Sequence, residues 1–184
     1  MVELQVAGLS VDEASKSPIL VLRHDQSGQI IPIWIGAMEA MSISYALNGT
    51  KPPRPLTHDL LLNTIAAMRG ELIRIEINEL QEGTFKSELI VAMGTKPIRV
   101  DCRPSDAVAL ALRARVPVMI HQQVLRAALT NTQYILQDGT VRVPPQASPM
   151  LQRRILTQEQ AEHLDDIELS SLLEALSPET KECM

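Results

Sequence analysis

The stretch VDCRPSDAVALALRARVPV, Val100 to Val118, constrains the fold of this chain more than any other. A strand-like segment runs into Pro104, and the helix SDAVALALRAR follows at once. Asp101, Arg103 and Asp106 therefore stand where a buried strand turns into a buried helix. Charges normally keep to a solvated face. Here they need partners or a task.

The rest of the chain has a matching rhythm. VELQVAGLSV alternates, and PILVLRH and QIIPIWI flank the turn-forming group DQSG, which predicts three strands. Gly36 ends the third, and AMEAMSISYALNG predicts a helix stopped by Asn48-Gly49. The three prolines of TKPPRPLT make an extended connector. Thr57 is then expected to cap the helix HDLLLNTIAAMR, with Gly70 at its end. ELIRIEINEL alternates, with Ile73, Ile75 and Ile77 on one face. TFKSELIVAM, KPIRVDC and PVMIH complete the strands. The sum is an α+β fold with a mainly antiparallel sheet and helices against one face.

The division expected is a core over residues 1–128 and a tail over 129–184. In the tail, YILQDGTVRV reads as a hairpin with an Asp-Gly turn. Thr157 and Gln160 form a capping-box pattern, and Leu169, Leu172, Leu173 and Leu176 follow at helical spacing. The leucine stripe is expected to pack on the core or on a neighbouring subunit.

Charge narrows the partners. Residues 1–128 hold 13 Lys/Arg and 13 Asp/Glu, whereas residues 129–184 hold 4 and 9, which gives the net −5. A neutral core with an acidic tail lacks a broad footprint for nucleic acid, so any phosphate binding is local. Aromatics make up only 2 % of the chain, Trp34, Tyr45, Phe85 and Tyr134, fewer than a protein that holds single strands by stacking bases on exposed rings normally carries. The start carries no basic segment followed by an apolar stretch, and no apolar run is long enough to span a bilayer. Two cysteines, Cys102 and Cys183, are too few for a disulfide framework and fit a reducing cytoplasm.

The charged junctions share one grammar. In VDCRPSDA, Asp101 and Arg103 are expected to project to one side of the strand, Ser105 to cap and Asp106 to open the helix. In RPLTHDLL, Arg54 precedes the proline, Thr57 caps, and His58 and Asp59 open the helix. Glu39 occupies the first turn after WIG. A structural explanation is available for each, since an acid at a helix start contributes roughly 0.3–1 kcal/mol against the macrodipole. The functional explanation requires the three junctions to converge. Glu39, Asp59 and Asp106 would then offer oxygen ligands to a divalent cation, Mg²⁺ or Mn²⁺, with Asp101 as a further water-activating carboxylate. Arg54 and Arg103 would clamp phosphate, with Thr57 and Ser105 beside it, and His58 would move a proton. The four histidines show no metal-ligand spacing.

The runs IPIWIGAMEAMSISYALNG, PPRPLTHDLL and VDCRPSDAVALALRARVPV, in this order and with these gaps, resemble the bifunctional nuclease family of bacteria and plants. The resemblance covers residues 1 to about 128. It implies an α+β domain, often oligomeric, acting on both DNA and RNA, with counterparts for Glu39, Arg54, Thr57, His58, Asp59, Asp101, Arg103, Ser105 and Asp106. Lys86-Ser87 after TF, and an ending that keeps Pro178 and Glu179 but lacks the rest of the family's acidic motif, depart from the pattern. The expectation is a cytoplasmic, metal-assisted nuclease of low sequence specificity, as a homo-oligomer, a dimer before larger assemblies. The rival is a non-enzymatic binding or regulatory module whose acid–arginine junctions are structural.

Overall fold

Segments that alternate in the sequence become the strands of one mixed sheet. The computed structural model describes residues 1–12, 17–131, 135–137, 140–142 and 153–155. The elements run β1 (Val2–Asp12), β2 (Pro18–His24), β3 (Gln29–Trp34), α1 (Ala37–Leu47), α2 (Thr57–Ala67), β4 (Glu71–Gln81), β5 (Thr84–Met93) and β6 (Lys96–Cys102). They continue with α3 (Pro104–Ala114), β7 (Val118–Ile120), α4 (Gln122–Asn131), β8 (Ile135–Gln137), β9 (Thr140–Arg142) and β10 (Arg153–Ile155). Strand order across the sheet is β3-β2-β1-β7-β4-β5-β6, with β10 pairing on β1. Only the β4–β7 pairing is parallel among the described strands, so the α+β architecture expected from the sequence is present.

The parallel pair follows from α3. From edge strand β6 the chain returns along α3, which packs on β4, β5, α1 and α2, and re-enters the sheet as β7 beside β4. Ala107 to Ala111 are all buried. Small side chains on this helix let it lie close to both the sheet and its neighbouring helices. Leu20, Leu22, Ile43, Ile75, Ile77 and Ile120 share the main core with it. The alternate residues Ile19, Val21 and Ile30 form a small second cluster, so β2 is buried on both sides.

One face assignment differs. Ile75 and Ile77 are fully buried, but Ile73 is 40 % exposed and Leu72 takes the inward place. The β4–β5 register shifts between Leu72 and Arg74, and such a bulge reverses the phase of alternation. Helix α4, which contributes Val124 and Leu125 to the core, was not anticipated from the sequence. Strands β8 and β9 pair antiparallel as the expected hairpin. The capping-box pattern at 157–160 and the leucine stripe at 169–176 lie outside the described residues. No helix among the described residues is long and apolar enough to cross a membrane.

Candidate active site

Three helix starts meet at the carboxyl side of β3 and β6. Gly36 precedes α1 in extended backbone, and a Cβ there would collide with Glu39 Oε2, so glycine lets the Glu39 side chain fold back over the helix start. At α3 the cap position is Arg103, with Pro104 as the first helical residue and its φ already suited to the helix. Ser105 is therefore buried inside the first turn and is not the expected cap. Thr57 likewise is the first residue of α2, and Leu56 holds the cap position. The Leu56 N–H donates to Asp59 Oδ2 at 2.9 Å, so Asp59 supplies the capping acceptor.

Arg103 ties the helices together. Its Nη1 lies 2.7 Å from Glu39 Oε1 on α1. Its Nε and Nη2 donate to Asp106 Oδ2 and Oδ1 at 2.7 and 3.1 Å. Asp106 Oδ1 is also 3.2 Å from His58 Nε2 on α2, and His58 Nδ1 is 2.8 Å from Ser42 Oγ on α1. The result is a chain of contacts Glu39–Arg103–Asp106–His58–Ser42 that crosses all three helix starts. Burial alone would raise the Asp106 carboxyl, but hydrogen bonds from Arg103 and then His58 outweigh it and hold it below the ordinary carboxylate range. In return Asp106, and after it Glu39, hold the Arg103 guanidinium more firmly charged.

The remaining sequence candidates are placed differently. Asp59 faces away from this chain of contacts, with Oδ1 3.0 Å from Arg113 Nε. Asp101 is exposed on β6 opposite Glu88, and Arg103 pairs with Glu39 and Asp106 instead of with it. The backbone stays extended through Arg103, and Asp101 and Arg103 line one concavity, but the guanidinium is committed to Glu39 and Asp106. Arg54 is exposed in the connector and makes no ion pair among the described residues.

Sequence reasoning missed Ser42 and Arg113. Ser42 is buried, three residues after Glu39, where the helical period puts it on the same face. Arg113 lies seven residues after Asp106, two turns along α3, and is only 10 % exposed. Both positions carried a readable signal, a second polar residue in helical register with the acid that opens the helix.

Three concavities converge on this cluster, and Arg103 lines all of them. One of about 510 Å³ is bounded by Glu39, Ser42, Thr57, His58 and Asp106. A second of about 670 Å³ includes His58, Phe85, Val100, Asp101 and Asp106. The third, about 440 Å³, includes Trp34, Glu39, Phe85 and Ser105. Thr57 and Asp101 thus border the site without bonding within it.

A divalent cation fits this arrangement poorly. Glu39 and Asp106 share one guanidinium, and Asp59 is held by another. No three His, Cys, Asp or Glu side chains among the described residues are grouped as metal ligands.

Comparison with known proteins gives a family. The bifunctional nuclease domain model matches residues 20–133, a span that includes all three helix starts. An uncharacterized protein of Mycobacterium tuberculosis is 44 % identical over 128 residues, covering 70 % of this chain and 76 % of its own length. Bifunctional nuclease 2 of Oryza sativa subsp. japonica is 29 % identical over 64 % of this chain and 37 % of its own length. Bifunctional nuclease 1 of Arabidopsis thaliana is 21 % identical over 74 % of this chain and 42 % of its own length. The chain thus spans about two-fifths of these plant relatives. With the expected α+β core and a domain match over more than half its residues, the chain belongs to the bifunctional nuclease domain family.

Proposed function

We propose that this chain hydrolyses phosphodiester bonds in DNA and RNA, with little sequence specificity, at the Arg103–Asp106–His58 cluster. The observation that carries the reading is His58, whose two ring nitrogens are held between Asp106 and Ser42 and which lines two of the three concavities. A histidine fixed by a carboxylate on one side is oriented for proton transfer on the other. In the tautomer with Nε2–H donating to Asp106, Nδ1 is the basic nitrogen. The Ser42 hydroxyl donates to it and accepts a hydrogen bond from the attacking water in the 510 Å³ concavity. Ser42 then passes the proton to His58 Nδ1 as the water oxygen bonds to phosphorus and the P–O bond to the departing sugar oxygen breaks; that oxygen takes its proton from bulk water, and burial keeps Ser42 a relay and not a nucleophile.

Arg103 receives the phosphate. Its guanidinium is 66 % exposed although its donors are committed to Glu39 and Asp106, and a phosphate competes for the same bidentate geometry. Substrate binding is thus an exchange of carboxylate for phosphate, which leaves Asp106 to His58. A Mg²⁺ or Mn²⁺ ion enters only by a similar exchange at Glu39 or Asp106, so no step is assigned to it. The family's plant members, named bifunctional nucleases, support the substrate class.

The test is cleavage of labelled single- and double-stranded DNA and RNA by purified protein, with Mg²⁺, Mn²⁺ or EDTA, beside folded His58→Ala and Asp106→Asn variants. Cleavage that falls at least a hundredfold in both variants supports the reading. Equal cleavage by wild type and variants overturns it.

One observation favours a second reading. The carboxylates are mutually paired with Arg103 and Arg113, the pattern of structural salt bridges in a binding or regulatory module. In that case no variant changes any turnover, and all lose stability.

A further inference from the structure

The chain contains one tryptophan and one phenylalanine, and both border the concavity beside Arg103. Trp34 ends β3 and is 44 % exposed; Phe85 sits near the start of β5, half-buried. Phe85 also walls the 670 Å³ concavity on the other side, where Leu61, Leu89, Val100 and Leu110 make the lining largely apolar. Trp34 keeps much of its surface toward solvent beside the first concavity. Two of the chain's four aromatic residues thus share one cleft.

We infer that these two concavities are base-binding subsites, and that the ligand is single-stranded nucleic acid. The inference rests on the nuclease reading for the placement of the phosphate at Arg103. A backbone phosphate at Arg103 puts one neighbouring base against Trp34 and Phe85 and the next into the apolar pocket behind Phe85. Volumes of about 440 and 670 Å³ suit a base or nucleoside each. Bases in a duplex have both faces covered by their neighbours, so only an unpaired strand can offer a face to these rings.

Charge points the same way. With 13 basic and 13 acidic residues in positions 1–128, the core cannot hold a backbone by phosphate neutralisation over many contacts. Stacking on aromatic faces is the sequence-tolerant alternative. Affinity that comes from stacking also depends only weakly on salt.

The experiment uses the full chain carrying His58→Ala, so that bound strand is not cut, and a twelve-nucleotide oligothymidylate as probe. Trp34 is the sole tryptophan, so its fluorescence reports this cleft alone. Saturable quenching by the single strand, with none by the same strand annealed to oligoadenylate, is expected. Adding Phe85→Leu weakens single-strand binding about tenfold. Trp34→Leu does the same when binding is followed by anisotropy of a labelled strand. No quenching, equal quenching by the duplex, or unchanged affinity in both ring variants overturns the inference. Should the ring variants fail to fold, the quenching comparison in the parent decides alone. Cleavage by wild type without quenching removes the base subsites and leaves the nuclease reading. Quenching without cleavage by wild type does the reverse.

Discussion

Arg113 Nε stands 3.0 Å from Asp59 Oδ1, while its two other nitrogens donate to Ala109 O and Ser42 O at 2.9 and 3.0 Å. One guanidinium on α3 thereby ties α2 through a side chain and α1 through a carbonyl. Its position, 10 % exposed, makes the tie strong and its loss costly. Replacing Arg113 with alanine leaves the Asp59 charge with only the Leu56 N–H and cuts the tie between the three helices, and should lower unfolding free energy by about 2–4 kcal/mol in urea titration. Lysine at 113 should recover less than half, because a single ammonium cannot reach three acceptors in the guanidinium's fork.

Asp106 sets a pH dependence with a definite sign. Its folded pKa lies below its unfolded value of roughly 3.9, so the stability it contributes is present above that pH and is lost as pH falls through the folded pKa. The stability gap between wild type and Asp106→Asn should close as pH falls below about 4. A gap that stays fully open well below that pH would show that the carboxylate is not held by Arg103 and His58.

Much of the fold was legible in the sequence, and the misses have physical causes. Every strand from β1 to β7 coincides with an alternating or short apolar run, because a half-buried sheet imposes a period of two. Ile73 was misplaced because a bulge is set by pairing with β5, which no local pattern carries. Convergence of the helix starts was posed by the sequence only as a condition, and contacts among residues 39, 58, 103 and 106 meet it. Which acid pairs with which arginine was not legible. Asp101 and Arg103 look like a pair two residues apart, yet Arg103 stands at the cap of α3 and is taken by Glu39 and Asp106. Asp59 resembles Asp106 in its setting, but the helical rotation of α2 turns it to Arg113.

Gly36 offers a test of Glu39 that changes no charge. A methyl group at this position would occupy the space of Glu39 Oε2 and push the carboxylate off Arg103. Gly36→Ala should leave the melting temperature within about 3 °C, because a flexible side chain gives way cheaply. If Arg103 exchanges carboxylate for phosphate, KM should fall in this variant, since one competitor has been removed. An increase in KM would mean that Glu39 positions Arg103 for the substrate.

Glu76 is the control outside the site. It is buried on β4 between Arg74 and Arg99 and lines none of the three concavities. Burial would raise its carboxyl, but the hydrogen bonds from Arg74 and then Arg99 lower it further. Glu76→Gln should cost about 1–3 kcal/mol in chemical denaturation. Cleavage per folded molecule should be unchanged, which separates general destabilisation from damage at His58.

Helix α2 buries none of its residues fully, whereas α3 beside it buries seven. A helix held by a few partly buried side chains and two polar tethers opens more often than the body it rests on. His58, the proposed proton carrier, travels with it. Warming the protein should therefore switch off turnover in a reversible step some degrees before the sheet melts. Amides of residues 57–67 should exchange with solvent while those of 104–114 stay protected. Tolerance to heat in this chain is then a property of two layers with separate thresholds, and the working one gives way first.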